Sequence, residues 1–166
     1  MKERDTTMRR KDREVTDPTR IREILDTAKI LHLGIHDDPC PYVVPLHYGY
    51  EFADGQFVFY MHCAKEGHKL DLIRQDPHVC VQIDCGMELI SGGDVACRYG
   101  ASYASVIGRG KAELLEDPKS KAAALELLMR HQTGRNFDIQ EKAAAAVSVI
   151  RVNLTEYSAK ERSNIM

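Results

Sequence analysis

Apolar residues first recur along the chain with the period of a helix. Four of them fall at positions i, i+3, i+4 and i+7, which is one face of a helix; they are Ile21, Ile24, Leu25 and Ala28. Asp17 and Pro18 stand just before them. An aspartate N-cap followed by a proline in the first turn is typical of a helix start. The pattern therefore predicts a helix from Pro18 to about Lys29.

The pattern then changes to the two-residue period of β-strands. Every second residue from Tyr42 to Phe52 is apolar, which predicts a strand with one face on the core. Asp54-Gly55 follows and predicts a tight hairpin, because primed turns require positive φ. The predicted strands are 30–35, 42–52, 57–62, 78–84, 102–115 and 147–154, with a further extended stretch near 88–90 and a polar tail after 154.

Three more helices are predicted, at about 65–75, from Asp117-Pro118 to about Gln132 with Gly134 as the stop, and at 139–145. Strands and helices do not alternate regularly, which argues against a doubly wound parallel sheet. About six short strands favour closure into a barrel, since closure removes exposed edges. The predicted fold class is mainly β with flanking helices, built as an antiparallel barrel.

Composition narrows the class of protein. The 166 residues, 43% hydrophobic and 29% charged, are enough for one globular domain, which we place at 17–166 after a charged N-terminal arm at 1–16. A net charge of -2 gives no reason to expect nucleic acid as a partner. Apolar stretches are shorter than the roughly 20 residues of a membrane span, so we expect no membrane association.

The cysteines bear on the cellular compartment. There are five of them, with no C-x-x-C pair, and the sequence shows no apolar export signal. This pattern favours reduced thiols and argues against a disulfide frame or a zinc site. We therefore expect a cytoplasmic protein without a bound metal.

The densest group of reactive side chains lies at 61–69, where a predicted strand ends and a helix begins. A helix N-terminus presents unpaired N–H groups and partial positive charge. Lys65, His68 and Lys69 add cations, and Gly67 permits close approach of the backbone. These features suit a phosphate monoester. A solvated basic turn would give the same pattern, so both interpretations stay open.

Pro45 interrupts the predicted strand 42–52 and has no N–H to give to a neighbouring strand. Such a proline indicates an edge, or a place where something other than a strand meets the backbone. The free backbone groups could bind the polar edge of a planar ligand, although an ordinary edge strand is equally consistent. A thiolate nucleophile at Cys63 is disfavoured, because the histidines near it in sequence need not be near it in space. A metal held by His62, Cys63 and His68 is disfavoured too, because a strand-to-helix turn scatters those side chains.

Several segments follow one another in the order of a known family. They are Val-Val-Pro-Leu-His-Tyr-Gly at 43–49, then 57–62, 67–70 and 76–80, and later 103–106 with Gly108 and Gly110, and 157–160. This order resembles the pyridoxamine 5′-phosphate oxidase-like FMN-binding split barrels over about 18–162. Within that group the chain is most similar to the nitroimidazole-resistance (Nim) flavoproteins.

The resemblance implies a six-stranded antiparallel split β-barrel that forms a homodimer, with FMN in grooves between the subunits; FAD would fit if the phosphate end is open. The backbone of Pro45, Leu46 and His47 would face the polar edge of the isoalloxazine ring, and Lys65, His68 and Lys69 would hold the phosphate. His68 stands where the family commonly has arginine. The cofactor-binding residues implied are Pro45, Leu46, His47, His62, Cys63, Ala64, Lys65, His68, Lys69, Ser105 and Val106.

The activity implied is that of an FMN-dependent oxidoreductase. Reduced flavin would deliver electrons to a small electron-poor acceptor such as a nitroimidazole, with His62 as the catalytic residue beside the ring. One alternative is oxidation of pyridoxamine phosphate, which needs a second phosphate site, whereas the C-terminal segment offers only Lys160 and Arg162. The other is a non-enzymatic flavin or haem binder. The sequence contains no G-x-G-x-x-G motif, so it gives no support for a stable nicotinamide site.

Overall fold

The computed structural model describes residues 8–163. The strands are β1 Glu14–Val15, β2 Ile30–Ile35, β3 Tyr42–Ala53, β4 Gln56–Cys63, β5 His78–Ile90, β6 Gly100–Leu114 and β7 Ser148–Arg162. The helices are α1 Pro18–Thr27, α2 His68–Gln75, α3 Pro118–Thr133 and α4 Glu141–Ala144, with short 3-10 turns at Lys11–Arg13 and Ala96–Arg98.

Six of the strands close into an antiparallel barrel. Their order is β7-β4-β3-β2-β5-β6, and β6 pairs with β7 to complete the ring, while β1 is an extra strand on β7. The inward side chains alternate along each strand and form the core together with the apolar face of α1. The predicted fold class, a mainly β six-stranded antiparallel barrel with flanking helices, is confirmed.

The predicted helix starts and turns are confirmed by their hydrogen bonds and dihedral angles. The Asp17 carboxylate accepts a bond from the N–H of Thr19 at 3.0 Å, and Asp117 caps α3 in the same way through Ser120 at 2.8 Å. Gly134 ends α3 in the left-handed conformation with φ 71°. These local signals fix where α1 and α3 begin and where α3 ends.

The helix α3 packs on the outer face of β3 and β4. Gly49 makes this possible, because a Cβ there would lie 2.5 Å from backbone atoms of Leu128. Outward side chains of β4, Val58 and Tyr60, form a second apolar cluster with Ala124 of α3. The C-terminal end of α3 is thereby held beside the middle of β3.

Two strands are longer than predicted. The stretches 78–84 and 88–90 form one strand, β5, with a bulge between Cys85 and Glu88. The polar tail predicted after 154 was wrong, because β7 continues to Arg162 along β6 and buries Ala159. The second half of β7 is mostly polar, so its sequence shows no clear alternation of apolar and polar residues. It is recognised as a strand only from its pairing with β6.

The helix predicted at 65–75 begins later, at His68. Gly67 precedes it with φ 143° and ψ 157°, a conformation that residues other than glycine rarely adopt. Residues 64–66 therefore form a loop. The last predicted helix is also shorter than expected, since α4 spans Glu141–Ala144.

Within the predicted arm 1–16, Glu14 and Val15 pair with Lys160 and Ala159 of β7. Residues 1–7 of that arm lie outside the described residues. The division between an arm and a domain at residue 17 stays a prediction. Among the helices of residues 8–163, none has the length and apolar character needed to cross a bilayer.

Candidate cofactor site at the split of the barrel

The strands β3 and β4 separate before either of them ends. Their pairing starts at the hairpin turn and finishes with Tyr48 opposite Met61. Beyond that pair β4 continues along β7 only, and the first half of β3 pairs with β2 only. In the part of the chain that the structure describes, a gap in the barrel wall, called the split below, therefore opens between residues 42–47 and residues 62–63.

Pro45 lies on the free edge of β3, opposite His32 of β2. The prediction that this proline marks an edge is confirmed, since residues 42–47 have a strand partner on one side only among the described residues. The side chain of Leu46 packs against the core, while Pro45 and His47 are exposed on the outer face. Backbone groups along this edge are available to a ligand.

Two histidines flank the opening of the split. His47 and His62 are the first residues of β3 and β4 beyond the last facing pair, Tyr48 and Met61. Alternation places both side chains on the outer face, and both are exposed. The structure therefore places His47 and His62 on the same outer face, one on each side of the split; the resemblance assigned both residues to the ring of a flavin.

A basic loop adjoins the same opening. Lys65 is exposed, and Lys69 is half-buried in the first turn of α2. Burial raises the pKa of the Cys63 thiol, and the Lys69 ammonium acts in the opposite direction. Ala64 is exposed between them in sequence. Cys63, Ala64, Lys65 and Lys69 thus gather at the end of β4.

The start of α2 also presents backbone donors. The first N–H groups bonded within the helix belong to Leu70 and Asp71, which donate to the carbonyl of Gly67 at 2.9 and 3.4 Å. The N–H groups of His68 and Lys69 come before them and have no intrahelical acceptor. An anion at this point would meet two N–H groups and the Lys69 ammonium.

His68 makes contacts that the sequence did not reveal. Its Nε2 lies 2.8 Å from Oδ2 of Asp37, and its ring meets Tyr42 edge-on with centroids 5.3 Å apart. Asp37 lies in the loop after β2, between the predicted strands 30–35 and 42–52. His68 is therefore bonded to a carboxylate, whereas Lys65 and Lys69, the other two predicted cations, have no ion pair with any residue of 8–163.

Gln132, at the end of α3, connects three elements beside the split. Its Nε2 donates to the carbonyls of Tyr48 at 2.8 Å and Lys29 at 3.0 Å. Its Oε1 lies 3.0 Å from Nδ1 of His47. Sequence reasoning missed this residue, because a glutamine in the last turn of a helix looks like an ordinary solvated position.

His131, next to Gln132 in α3, also contacts α1 and β3 beside the split. Its Nε2 lies 3.0 Å from the carbonyl of Ala28, and its ring lies 4.5 Å from that of Tyr48. Burial lowers the pKa of His131, and the neighbouring Lys29 ammonium lowers it further. The Tyr48 hydroxyl donates to the carbonyl of Leu25 at 2.6 Å. The middle of β3 is thus anchored to α1 and α3 by contacts that are buried or partly buried.

Ser105 and Val106 do not join this group within one chain. They lie on β6, where Ser105 pairs with Asp84 of β5 and Lys160 of β7. Val106 is buried in the core with 1% exposure. Since β6 borders neither β3 nor β4, these two residues are on another side of the barrel.

Comparison with known proteins identifies a family that this chain matches. The model of the family described as pyridoxamine 5′-phosphate oxidase matches residues 17–161. A solved structure of a candidate 5-nitroimidazole antibiotic resistance protein from Bacteroides thetaiotaomicron VPI-5482 is 32% identical, with a TM-score of 0.75. The match covers 89% of this chain and 86% of that one. A search of curated proteins finds no significant match.

Two further solved structures share the fold at lower identity. The flavocytochrome Anf3 from Azotobacter vinelandii is 22% identical, with 95% of this chain and 73% of that chain covered and a TM-score of 0.75. The FAD and heme binding protein from Mycobacterium smegmatis is 17% identical, with 92% and 74% covered and a TM-score of 0.75. The family match spans nearly the whole barrel, and the chain therefore belongs to the pyridoxamine 5′-phosphate oxidase family.

Proposed function

We propose that this protein binds FMN in the split and passes electrons from it to a small electron-poor acceptor such as a nitroimidazole. The observation that carries the proposal is the free edge of β3 beside a loop with two lysines. A flat heterocycle with a phosphate at one end matches this arrangement of donors, acceptors and charge. The cofactor would supply electron transfer, and the chain would bind and orient the reactants.

The free edge suits the ring. Residues 42–47 offer backbone N–H and C=O groups that no β4 residue pairs with in the described chain. Pro45 contributes a carbonyl but no N–H. A ring that carries its own acceptors can bond to such an edge as a neighbouring strand would. Pro45, Leu46 and His47 are the residues we propose for this contact.

The basic loop suits the phosphate. The Lys69 ammonium and the N–H groups of His68 and Lys69 lie at the start of α2, and Lys65 is nearby in the loop. Charge-assisted hydrogen bonds of this kind are stronger than neutral ones. Because the His68 side chain is engaged with Asp37, we assign the charge to the lysines. The loop is exposed, so the longer FAD would also have room to extend into solvent.

His62 is the residue we propose for chemistry. It is exposed on the outer face at the opening of the split, where a small acceptor would reach the ring. A histidine there could orient the acceptor or give it a proton. The Bacteroides thetaiotaomicron relative, named for 5-nitroimidazole antibiotic resistance, supports a nitro compound as the acceptor at 32% identity.

We further propose a homodimer. A cleft of about 1100 Å³ lies on the outer face of β2, β5 and β6, and the apolar side chains Val43, Ile107 and Tyr157 are 59%, 44% and 39% exposed. Ser105 lies on that side of the barrel, where it could reach the split of a second copy. An obligate interface of this kind should bury more than about 2,000 Å².

The deciding experiment is a titration of the purified protein with FMN, FAD, riboflavin and haem, followed by flavin fluorescence, absorption and melting temperature. FMN at about 100 times Kd should stabilise the fold by about 2.7 kcal/mol. Once its flavin has been reduced with dithionite and the excess dithionite removed, the loaded protein should reduce a nitroimidazole under anaerobic conditions, with reoxidation of the flavin as the readout. Its mass by light scattering should be that of a dimer.

If no flavin causes either fluorescence quenching or a thermal shift, the flavin site is refuted. A haem absorption band with no flavin uptake would favour the haem-binding alternative. Oxidation of pyridoxamine phosphate without nitroreduction would favour the oxidase. A flavin-loaded monomer would refute the dimer alone.

A further inference from the structure

The side-chain amide of Gln132 has only one favourable orientation. One of its atoms lies 2.8 Å from the carbonyl of Tyr48 and 3.0 Å from that of Lys29. Carbonyl oxygens accept hydrogen bonds and cannot donate them, so this atom must be the amide nitrogen. The amide oxygen of Gln132 consequently faces Nδ1 of His47 at 3.0 Å.

This orientation fixes where His47 carries its proton. Nδ1 meets two acceptors, the Gln132 oxygen at 3.0 Å and the Lys29 carbonyl at 3.3 Å. Only a protonated Nδ1 can bond to either of them. In the neutral imidazole, which carries a single N–H, Nε2 then holds a lone pair. Nε2 has no hydrogen-bond partner within residues 8–163, and the side chain is exposed at the opening of the split.

We propose that Gln132 is a positioning residue that holds His47 in the Nδ1–H tautomer, so that Nε2 accepts a hydrogen bond from the imide N–H of the flavin ring. This inference rests on the proposed flavin site and adds a side-chain contact to the backbone contacts of β3. It also gives the two histidines separate roles: His62 would contact the acceptor, and His47 would accept the hydrogen bond from the imide N–H of the ring.

The first test needs no flavin. Nitrogen-15 correlation spectra of the imidazole rings are recorded on flavin-free protein at about pH 8.5, where an ordinary histidine is neutral. The His47 signals are identified by their absence from His47→Asn. We expect Nδ1 of His47 to be protonated in the wild type, and the Nε2–H tautomer to appear in Gln132→Met. Gln140→Met, which changes an exposed glutamine bonded to Asp138, should leave the spectrum unchanged.

The second test compares FMN with FMN methylated at the imide nitrogen. His47→Asn keeps an N–H donor for Gln132 but has no group at the position of Nε2, whereas His47→Gln restores an acceptor there. Loss of one neutral hydrogen bond should weaken binding about 3- to 10-fold. Methylation should therefore cost the wild type and His47→Gln about that factor and His47→Asn almost nothing, while His47→Asn should bind unmodified FMN more weakly than the wild type.

The outcomes separate this inference from the proposed function. A wild-type His47 in the Nε2–H form overturns the positioning role of Gln132. An equal cost of methylation in wild type and His47→Asn overturns the contact to the ring and leaves the flavin site intact. A wild type that takes up no flavin at all overturns the proposed function and the ring contact with it, while the spectra still decide the tautomer.

Discussion

The seam between β6 and β7 and the split between β3 and β4 are two junctions of one barrel with opposite character. At the seam, pairing continues from Tyr103 opposite Arg162 to Leu114 opposite Ile150, interrupted by a single bulge. At the split, pairing stops at Tyr48 and Met61, although both strands continue. The same antiparallel sheet is closed by one junction and opened by the other.

The side chains follow this difference. Along the seam the inward residues Ala112, Val152 and Leu154 are at most 5% exposed, and the backbone groups find partners across the junction. At the split the polar residues His47 and His62 are exposed beside backbone that, within residues 8–163, lacks a strand partner on one side. Complete pairing and burial stabilise the fold, while the interrupted pairing leaves groups that can bind something else. Changes at the two junctions should therefore have separable effects.

The largest effect is expected for His62→Ala at the split. If the histidine transfers a proton to a nitro acceptor, turnover should fall by about 10²–10⁴-fold. FMN affinity should stay within about 1 kcal/mol of the wild type, because other groups hold the phosphate and the ring edge. Anaerobic kinetics per flavin-loaded subunit measure the first quantity and a flavin titration the second.

His62→Gln serves as the matched variant, since it keeps a polar group but cannot exchange a proton near neutral pH. If His62 only orients the acceptor, the loss should appear mainly in KM, and His62→Gln should recover part of it. Unchanged turnover per loaded subunit in His62→Ala, together with lower stability, would assign His62 a structural role at the end of β4.

The opposite result is expected for Ile150→Ala at the closed side of the barrel. Ile150 is fully buried and pairs with Leu114 of the seam and Met61 of β4. Removing its side chain should lower the free energy of unfolding by about 2–5 kcal/mol, and Ile150→Val by about 0.5–1.5 kcal/mol. Urea unfolding measures both values. Turnover per folded, loaded subunit should not change, and a selective loss of turnover would contradict the separation of the two junctions.

Lys69→Ala tests the charge at the split. Removing a charge-assisted bond of about 1.5–3 kcal/mol should weaken FMN about 10- to 150-fold. Riboflavin, which lacks the phosphate, should lose far less affinity. Lys119→Ala is a matched control, because Lys119 holds the same second position in α3 as Lys69 does in α2. Equal losses for FMN and riboflavin would mean that Lys69 acts through the folding of α2.

Much of the fold follows from local signals in the sequence. The two aspartate–proline pairs locate α1 and α3, and Asp54-Gly55 locates the hairpin of β3 and β4 with positive φ at both residues. Each of these signals works within a few residues, since a cap or a primed turn needs only its own side chains and dihedral angles. Pro45 indicated a free edge for the same reason.

The sequence did not reveal features that depend on distant partners. The second half of β7 forms because β6 lies beside it, and His68 is held by Asp37, which is 31 positions away. Gln132 reaches His47 over 85 positions. Contacts of this kind leave no periodic trace in a single sequence. The candidate site could be predicted as a set of residue types, whereas the partners that orient its histidines required the fold.

The smallest expected effect concerns the pH dependence of stability that comes from His131, which helps to anchor β3 beside the split. Burial, assisted by the Lys29 ammonium, lowers the pKa of His131 in the folded protein. In the unfolded chain a histidine titrates near about 6.5. As the pH falls below that value, the unfolded chain takes up a proton that the folded protein does not, so the unfolded state gains stability. Stability should therefore fall as the pH is lowered through this range, and His131 should add no slope above it.

His131→Gln removes the titrating group and can still donate a hydrogen bond to the carbonyl of Ala28, 3.0 Å from the ring nitrogen that it replaces. Urea unfolding at about pH 7.5 and about pH 5.5 should show a smaller loss of stability for this variant than for the wild type. His36→Gln, at an exposed position, should retain the wild-type slope. If His131→Gln loses as much stability between the two pH values as the wild type does, the proton is taken up by another group and the contacts of His131 do not respond to pH. A reduced slope would show that β3 is anchored beside the split by a neutral histidine, in contrast to the apolar seam between β6 and β7.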